Sequence, residues 1–177
     1  MARKRKPAGN IVLTGFMGTG KTEVGRILAD RLGFSLIDVD AEIVKSRGMA
    51  VADIFRLSGE ESFRDAESHV IREVAARRNA VISTGGGAVL RPENVDALRS
   101  SGIIVCLTAS PETIYERTSR TTDRPLLQVD DPLGRIRQLL EQRRPFYETA
   151  DIVIDTENKT PADVAEEILH HLEVTDP

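Results

Sequence analysis

The chain has 177 residues, a formal net charge of −4 and 40% hydrophobic residues, which fits one globular domain with a sizeable core. The mildly acidic balance argues against a nucleic-acid-binding protein, and no apolar run approaches the about 20 residues that cross a bilayer. The basic start, residues 1–9, lacks the apolar segment of a secretory signal, so we expect a solvated, flexible tail. A single cysteine, Cys106, cannot form an internal disulfide. We therefore expect a cytoplasmic protein without nucleic-acid or membrane partners.

Five short apolar runs predict strands at 11–14, 35–39, 80–84, 103–107 and 152–155. Most are continuously apolar, which is typical of a parallel sheet covered on both faces. Helical segments lie between them, and Ser110-Pro111, Asp131-Pro132 and Thr160-Pro161 each place a capping residue before proline at a helix start. The alternation predicts one α/β domain over 1–177, a three-layer α/β/α sandwich with a five-stranded parallel sheet.

The first strand runs into GFMGTGKT, residues 15–22, which is a phosphate-binding loop of the form G-x-x-x-x-G-K-T. Its glycines let successive backbone N–H groups turn inward around anionic oxygens, beside the positive end of the following helix. Lys21 supplies a mobile charge to the outer phosphates, and the hydroxyl of Thr22 is suited to ligate Mg²⁺. A strand before the loop and a helix after it disfavour a turn that binds nothing.

Asp38 and Asp40 follow the second strand, at the sheet edge where open α/β proteins bind ligands. If the strand persists to Asp40, alternation places both carboxylates on a common side. One carboxylate then holds magnesium through water while the other accepts a proton from an attacking hydroxyl. A helix N-cap is an equally good interpretation of Asp40, because a helical pattern follows it.

Ser58 precedes a predicted long helix in which Arg64 and Glu67 lie one turn apart. An arginine held by a neighbouring glutamate is a preorganised fork for a carboxylate ligand. Such a pair also occurs on solvated helix faces, where it is weak. Phe55 and Phe63 are most simply core residues.

Three further stretches fit a ligand site. Gly85, Gly86 and Gly87 follow the third strand and allow a ligand to approach exposed backbone N–H groups. Residues 117–127, rich in arginine and hydroxyl groups, have the composition of a mobile flap, and we expect a lid at about 115–128. The stretch QRRPFY, residues 142–147, offers another cation late in a helix. The three histidines lack metal-ligand spacing with acidic or thiol partners.

Taken together, the motifs GFMGTGKT, DVD, SFRDAE, TGGG, RPLL and RRPFY resemble, in this order, those of the shikimate kinase family over nearly the whole chain. That family belongs to the nucleoside-monophosphate-kinase-like group of phosphate-loop folds. The resemblance implies transfer of the γ-phosphate of ATP to the 3-hydroxyl of shikimate, with Mg²⁺ as cofactor, on the route to chorismate and the aromatic amino acids. It implies ATP and shikimate as binding partners, and we expect a monomer.

The resemblance also implies roles for single residues. Asp40 is similar to the aspartate that binds the ring hydroxyls and is the proposed base, and Asp38 to the residue that orients magnesium through water, beside Thr22. The catalytic set is Asp40, Lys21 and Arg124. The nucleotide-binding set is Gly15, Gly18, Thr19, Gly20, Lys21, Thr22, Glu23, Arg117, Arg124 and Pro161. The substrate-binding set is Asp40, Phe55, Phe63, Arg64, Glu67, Gly85, Gly86, Gly87, Arg124 and Arg143.

Within these sets, Arg64 and Arg143 match the arginines that bind the shikimate carboxylate, with Glu67 holding Arg64. Arg117 matches an arginine that lies over the adenine. Arg143 fits by its distance to the proline and tyrosine of RRPFY, whereas Arg144 stands where other residues are usual. Phe146 replaces a more common leucine.

Other functions remain alternatives. A related kinase that acts on gluconate or a nucleoside monophosphate would share the phosphate loop and the lid, but would need other acceptor-binding residues. A guanine-nucleotide switch would read its base with N-K-x-D. Asn158-Lys159 begins that pattern, but Pro161 occupies its fourth position and Asp163 comes two residues late.

Overall fold

The computed structural model describes residues 9–120 and 125–174, which form one parallel five-stranded sheet with helices on both faces. The strands are β1 (Asn10–Gly15), β2 (Ser35–Asp38), β3 (Ala80–Ser83), β4 (Gly102–Thr108) and β5 (Ile152–Asp155). The helices are α1 (Lys21–Leu32), α2 (Val39–Arg47), α3 (Val51–Ala75), α4 (Pro92–Ser101), α5 (Pro111–Thr118), α6 (Pro132–Tyr147) and α7 (Pro161–Val174). Short 3₁₀ turns occupy Ala88–Leu90 and Pro125–Leu127.

The central strand is β1, in the order β2-β3-β1-β4-β5. Ile11 pairs with Val81 on one side and with Ile103 on the other, and Val12 and Leu13 are fully buried. An apolar strand covered on both faces is what a parallel sheet between two helical layers requires. The predicted α/β/α sandwich is confirmed, and each predicted strand lies within one residue of an observed one at both ends.

The end of β2 corrects the interpretation of the two aspartates. The strand stops at Asp38, whose carboxylate accepts a hydrogen bond of 3.1 Å from the N–H of Ala41 and so caps α2. The N-cap is therefore Asp38, and Asp40 lies inside the first turn of the helix. The alternative that made Asp40 the cap is wrong, and so is the assumption that the strand reaches it.

Helix α3 begins before the predicted start and contains an interruption. Gly59 has φ 80° and ψ 171°, values outside the helical region, so residues 51–58 and 60–75 are two helical segments joined at a bend. Glycine adopts a positive φ without the steric penalty that a Cβ brings. The predicted long helix after Ser58 corresponds to the second segment.

The three predicted helix starts before proline are confirmed. Ser110 accepts a hydrogen bond from the N–H of Thr113, and Asp131 accepts one from the N–H of Gly134. Thr160 accepts one of 3.2 Å from Asp163. No helix in the described part of the chain is both long enough and apolar enough to cross a membrane.

Candidate active site

The phosphate-binding loop joins β1 to α1 at the carboxyl edge of the sheet. Gly20 is the N-cap of α1, with φ 92°, and gives that helix no side-chain cap. The first turn of α1 therefore has no side-chain capping acceptor, as suits a helix start that receives an anion. Lys21 is largely buried, and its Nζ donates to the carbonyl oxygens of Gly15 at 2.9 Å and Phe16 at 2.8 Å. The ammonium group of Lys21 thus lies against the phosphate-binding loop, where it is expected to bind the outer phosphates.

A cavity of about 240 Å³, here called the loop cavity, lies beside this turn. It is lined by Met17, Gly18, Gly20, Lys21, Thr22, Glu23, Asp38, Asp40, Ser83, Thr84, Gly85 and Gly86. Thr19, predicted to bind nucleotide, is buried and does not line the cavity. Its hydroxyl instead donates to the carbonyl oxygen of Phe16 at 2.8 Å, which stabilises the loop.

The loop cavity offers oxygen donors to a magnesium ion. Thr22 and Asp38 both line it, and a hydroxyl plus a carboxylate suit a hard cation that keeps most of its water and binds nucleotide phosphates. The described residues hold no group of three or more acidic, histidine or cysteine side chains able to form a metal site. The residues thus fit a magnesium ion held mainly by the nucleotide.

A second, smaller cavity of about 80 Å³, the inner cavity, adjoins the first. The two share Met17, Asp40, Gly85 and Gly86. The inner cavity is further lined by Val51, Phe55, Phe63, Arg64, Glu67, Gly87, Leu126 and Arg143. Asp40 thus stands between the phosphate loop and a cavity that contains two arginines.

Arg64 and Glu67 form a buried ion pair, so the solvated-face alternative is wrong. The guanidinium Nη1 lies 2.7 Å from Glu67 Oε2, and Glu67 is completely buried. Burial raises the pKa of the Glu67 carboxyl, and the charge of Arg64 opposes that rise. The guanidinium also lies 5.2 Å from the centre of the Phe63 ring, which stacks at 4.8 Å on Phe55. Glutamate and ring together fix the direction of the Arg64 fork.

Arg143 reaches the same cavity from α6. It is 4% exposed, and its guanidinium carbon lies 5.4 Å from the centre of the Phe16 ring in the phosphate loop. The neighbouring Arg144 is exposed and does not line the inner cavity. Two buried arginines from different helices therefore approach one small space, which favours an anionic ligand there.

Gly85 and Gly87 are required by close approach rather than by unusual backbone angles, whereas a Cβ at Gly86 would lie no closer than 3.3 Å to its neighbours. A Cβ at Gly85 would lie 2.9 Å from Glu67 Oε1, and one at Gly87 would lie 2.6 Å from the guanidinium carbon of Arg64. Their carbonyl oxygens all accept hydrogen bonds, from Ala88 N–H, Tyr147 Oη and Leu90 N–H for Gly85, Gly86 and Gly87 respectively. Within the described residues no acceptor pairs with the three glycine N–H groups, which are left for a ligand.

A third cavity of about 460 Å³, the outer cavity, lies where α5 meets the β5–α7 connection, and Arg117, Glu157 and Asn158 are among its lining residues. The Arg117 guanidinium donates to the carbonyl oxygen of Gly18 and the hydroxyl of Thr156, each at 3.2 Å. Arg117 therefore connects the phosphate loop to this connection. Pro161 begins α7 and is exposed, and it does not line the outer cavity.

Arg124 lies outside the described residues. Sequence reasoning missed Met17, Val51 and Leu126 as lining residues of the inner cavity, and Tyr147 behind it. Leu126 and Tyr147 had a usable signal, because both belong to quoted motifs, RPLL and RRPFY. Val51 had none, since it belongs to the helical segment before Gly59 that the sequence did not predict.

Comparisons with known proteins agree with this geometry. The family model described as shikimate kinase matches residues 17–173. A shikimate kinase of Thermodesulfovibrio yellowstonii is 52% identical over 164 residues, covering 93% of this chain and 95% of that protein. The solved structure of a shikimate kinase from Acinetobacter baumannii in complex with shikimate is 40% identical, with a TM-score of 0.93 over 98% of this chain and 96% of that one. A gluconokinase from Sinorhizobium meliloti, 23% identical with a TM-score of 0.62 over 95% and 93% of the two chains, shares the fold alone.

Proposed function

The chain belongs to the shikimate kinase family, and on that premise we propose that it transfers the γ-phosphate of ATP to the 3-hydroxyl of shikimate. The observation that carries the proposal is the inner cavity. Arg64 and Arg143, both buried, line it together with Asp40, and it adjoins the cavity of the phosphate loop. A small hydroxylated acid bound there presents its hydroxyl toward the nucleotide.

The two arginines bind the carboxylate of shikimate, because two guanidinium forks match a carboxylate in charge and geometry. The N–H groups of Gly85, Gly86 and Gly87 donate to its hydroxyl groups. The stacked rings of Phe55 and Phe63 form the apolar wall. Glu67 keeps Arg64 in place through the 2.7 Å ion pair.

Phosphoryl transfer depends chiefly on positioning and charge stabilisation. The N–H groups of the loop and the Nζ of Lys21 bind the phosphates, for which Lys21 leaves its resting contacts with Gly15 and Phe16. Asp40 accepts the proton of the attacking hydroxyl, or orients that hydroxyl if the transition state is loose. Thr22 and Asp38 would hold a magnesium ion that arrives with the nucleotide, and the ion would supply charge neutralisation on the phosphates.

The stretch 115–128 serves as a lid. Leu126 already lines the inner cavity, so a lid that closes from this side excludes water from the transferring phosphate. From the RPLL motif we assign Arg124 to the phosphates and the acceptor, although it lies outside the described residues. Arg117 covers the adenine from the outer cavity, which Asn158 and Lys159 of the β5–α7 connection also line. From the resemblance we assign Pro161, at the end of that connection, to the adenine as well.

The protein acts as a monomer of one domain, because a single chain supplies the residues that line the inner cavity. A cytoplasmic location agrees with ATP as the donor and with Cys106 as a free, buried thiol. The guanine-switch alternative is disfavoured, since Asp163 exchanges hydrogen bonds with Thr160 at the start of α7. Lys159 pairs with Glu167 at 2.7 Å.

A coupled assay of ADP release tests the proposal with shikimate, gluconate and AMP as acceptors, each with ATP and Mg²⁺. We expect turnover with shikimate and only background release with the other two. Prompt turnover of gluconate or AMP without turnover of shikimate would contradict the proposal. Loss of the shikimate signal in a Lys21→Ala variant serves as the control for a contaminating kinase.

A further inference from the structure

The hydroxyl of Tyr147 reaches the triple glycine from behind. Tyr147 lies on α6, one turn after Arg143, and is 6% exposed. Its hydroxyl donates a hydrogen bond of 2.6 Å to the carbonyl oxygen of Gly86, 61 residues away in sequence. Tyr147 is not among the described residues that line the inner cavity, and it meets that cavity through Gly86 and through the guanidinium of Arg143, which interacts with its hydroxyl.

The Gly86 carbonyl differs from its two neighbours in how it is held. The carbonyl oxygens of Gly85 and Gly87 accept from the N–H groups of Ala88 and Leu90, each at 3.1 Å, within the local turn. The carbonyl of Gly86 accepts instead from a side chain of another element. The orientation of the peptide between Gly86 and Gly87 therefore depends on Tyr147.

That peptide has a fixed relation between its two polar groups. No cis peptide bond occurs among the described residues, and in a trans peptide the carbonyl and the following N–H point in opposite directions. When Tyr147 holds the Gly86 carbonyl toward α6, the N–H of Gly87 must point away from α6. Gly87 lines the inner cavity, against the guanidinium of Arg64.

The direction of this hydrogen bond is also fixed. A carbonyl oxygen can only accept, so the phenol must donate. Burial raises the pKa of Tyr147 to about 12, and the hydroxyl consequently keeps its proton throughout the physiological range. The contact therefore does not act as a pH switch in that range.

We infer that Tyr147 is a positioning residue for the acceptor: it orients the Gly86–Gly87 peptide so that the N–H of Gly87 donates to a hydroxyl of the bound acid. Through the same helix, it sets the distance between this N–H and the fork of Arg143. The inference rests on the proposed function and adds a residue that never touches the substrate. It assigns to α6 both the carboxylate-binding arginine and the orientation of the hydroxyl-binding backbone.

The test compares steady-state kinetics of Tyr147→Phe with the wild-type enzyme. The variant keeps the ring and loses the hydroxyl, so we expect the KM for shikimate to rise about five- to tenfold while the KM for ATP stays within about twofold. A matched control is Thr149→Val, which removes another hydroxyl-to-carbonyl bond, of 2.7 Å to Phe146, just after the same helix. We expect the control to leave both KM values unchanged.

Unchanged shikimate kinetics in Tyr147→Phe would overturn the inference, and so would an equal rise in both KM values, since that indicates general loosening. Wild-type enzyme that fails to turn over shikimate would instead overturn the proposed function. If the variant does not fold, an NMR titration of the wild-type enzyme, labelled with [¹⁵N]glycine, tests the inference instead. Shikimate should then shift the amide resonance of Gly87 more than that of Gly48, and an unmoved Gly87 amide would overturn the inference.

Discussion

Asp40 lies in the first turn of α2 and lines both the loop cavity and the inner cavity. We expect Asp40→Asn to lower kcat for shikimate phosphorylation by about 10²- to 10⁴-fold, because the amide cannot accept the proton of the attacking hydroxyl. Nucleotide affinity should remain within about twofold, since the phosphate loop keeps its lysine and N–H groups. Stopped-time assays and ATP titration calorimetry measure the two quantities. Full activity in this variant would exclude a role of Asp40 as base, because the amide oxygen can still orient the hydroxyl but cannot take its proton.

A substitution at Gly87 tests the close packing around Arg64. A methyl group there would lie 2.6 Å from the guanidinium carbon, so Gly87→Ala must displace Arg64 or the turn. Because displacement of a binding group by about 1 Å can cost 10²-fold, we expect the kcat/KM for shikimate to fall by about that factor, with the KM for ATP little changed.

The control for this variant is Gly48→Ala. Gly48 has φ 68° with no atom within 4 Å of an added Cβ, so alanine there costs stability, about 1 kcal/mol, without approaching the cavities. If both glycine variants lose stability and neither changes the shikimate kinetics, the packing argument fails.

At the scale of elements, Arg91 connects the stretch that contains the triple glycine, residues 85–91, to helix α3. Its guanidinium binds Glu61 at 2.6 Å, Asp65 at 2.8 Å and Ser68 at 3.3 Å, all on one face of the second segment of α3. That segment also carries Arg64, so Arg91 helps to set the spacing between Arg64 and the triple glycine.

We expect Arg91→Ala to raise the KM for shikimate about two- to fivefold, because the stretch 85–91 then moves more freely against α3. The free energy of unfolding should fall by about 1 kcal/mol or less, since its acidic partners are exposed. Arg99→Ala, on helix α4 that Arg91 immediately precedes, is the matched control and should leave the KM unchanged. Denaturant melts with parallel kinetics separate the two effects, and an unaltered KM in Arg91→Ala would argue against this role.

Glu157 connects the β5–α7 connection to the start of α5. Its carboxylate accepts hydrogen bonds from the hydroxyl of Thr113, the N–H of Ser110 at 3.1 Å and the hydroxyl of Ser110 at 3.2 Å. The hydrogen bond from Thr113, with those from Ser110, lowers the pKa of Glu157 below its usual value of 4.5. A carboxyl with a lowered pKa stabilises the fold above its unfolded-state pKa and loses that contribution as the pH falls through its folded-state pKa.

We therefore expect Glu157→Gln to melt at a lower temperature than the wild type at neutral pH. The difference should persist down to about pH 4.5 and then disappear as the wild-type carboxylate is protonated. Thermal melts from pH 3 to pH 7 measure it, with the exposed Glu148→Gln as control. A difference in melting temperature that does not depend on pH would contradict this role of the Glu157 carboxylate.

The strands were predictable because most of them are continuous apolar runs, which is the pattern that a buried parallel sheet requires. The first segment of α3 was not predictable, since Gly59 breaks the helical pattern after Ser58 and no capping signal marks Val51. The N-cap of α2 is Asp38, whereas the spacing had made Asp40 a candidate for it. The reason is that β2 ends at Asp38, one residue before the end of the predicted strand. The burial of Arg64 and Glu67 depends on the fold, since spacing alone cannot tell a buried pair from an exposed one. Tyr147 was recognisable as part of a motif, but its partner Gly86 is far away in sequence.

At the scale of the whole molecule, the loop and inner cavities share a wall that includes Met17 and Gly86. Ordering this wall with one ligand lowers the cost of ordering it for the other. We expect ADP with Mg²⁺ to tighten shikimate binding about fivefold or more, and shikimate to tighten ADP binding by the same factor, as linkage requires. Calorimetric titrations in both orders measure the two factors. Affinities independent of the second ligand would show that the shared wall is already rigid.

The interruption at Gly59 has a consequence for redesign of acceptor specificity. Phe55 and Val51 lie before it, whereas Phe63, Arg64 and Glu67 lie after it, so one part of the apolar wall belongs to a different helical segment from the anion anchor. A library confined to residues 51–58 can reshape the pocket for bulkier carboxylic acids while the anchor stays intact. Laboratory evolution of new acceptor range is best begun there, upstream of the bend.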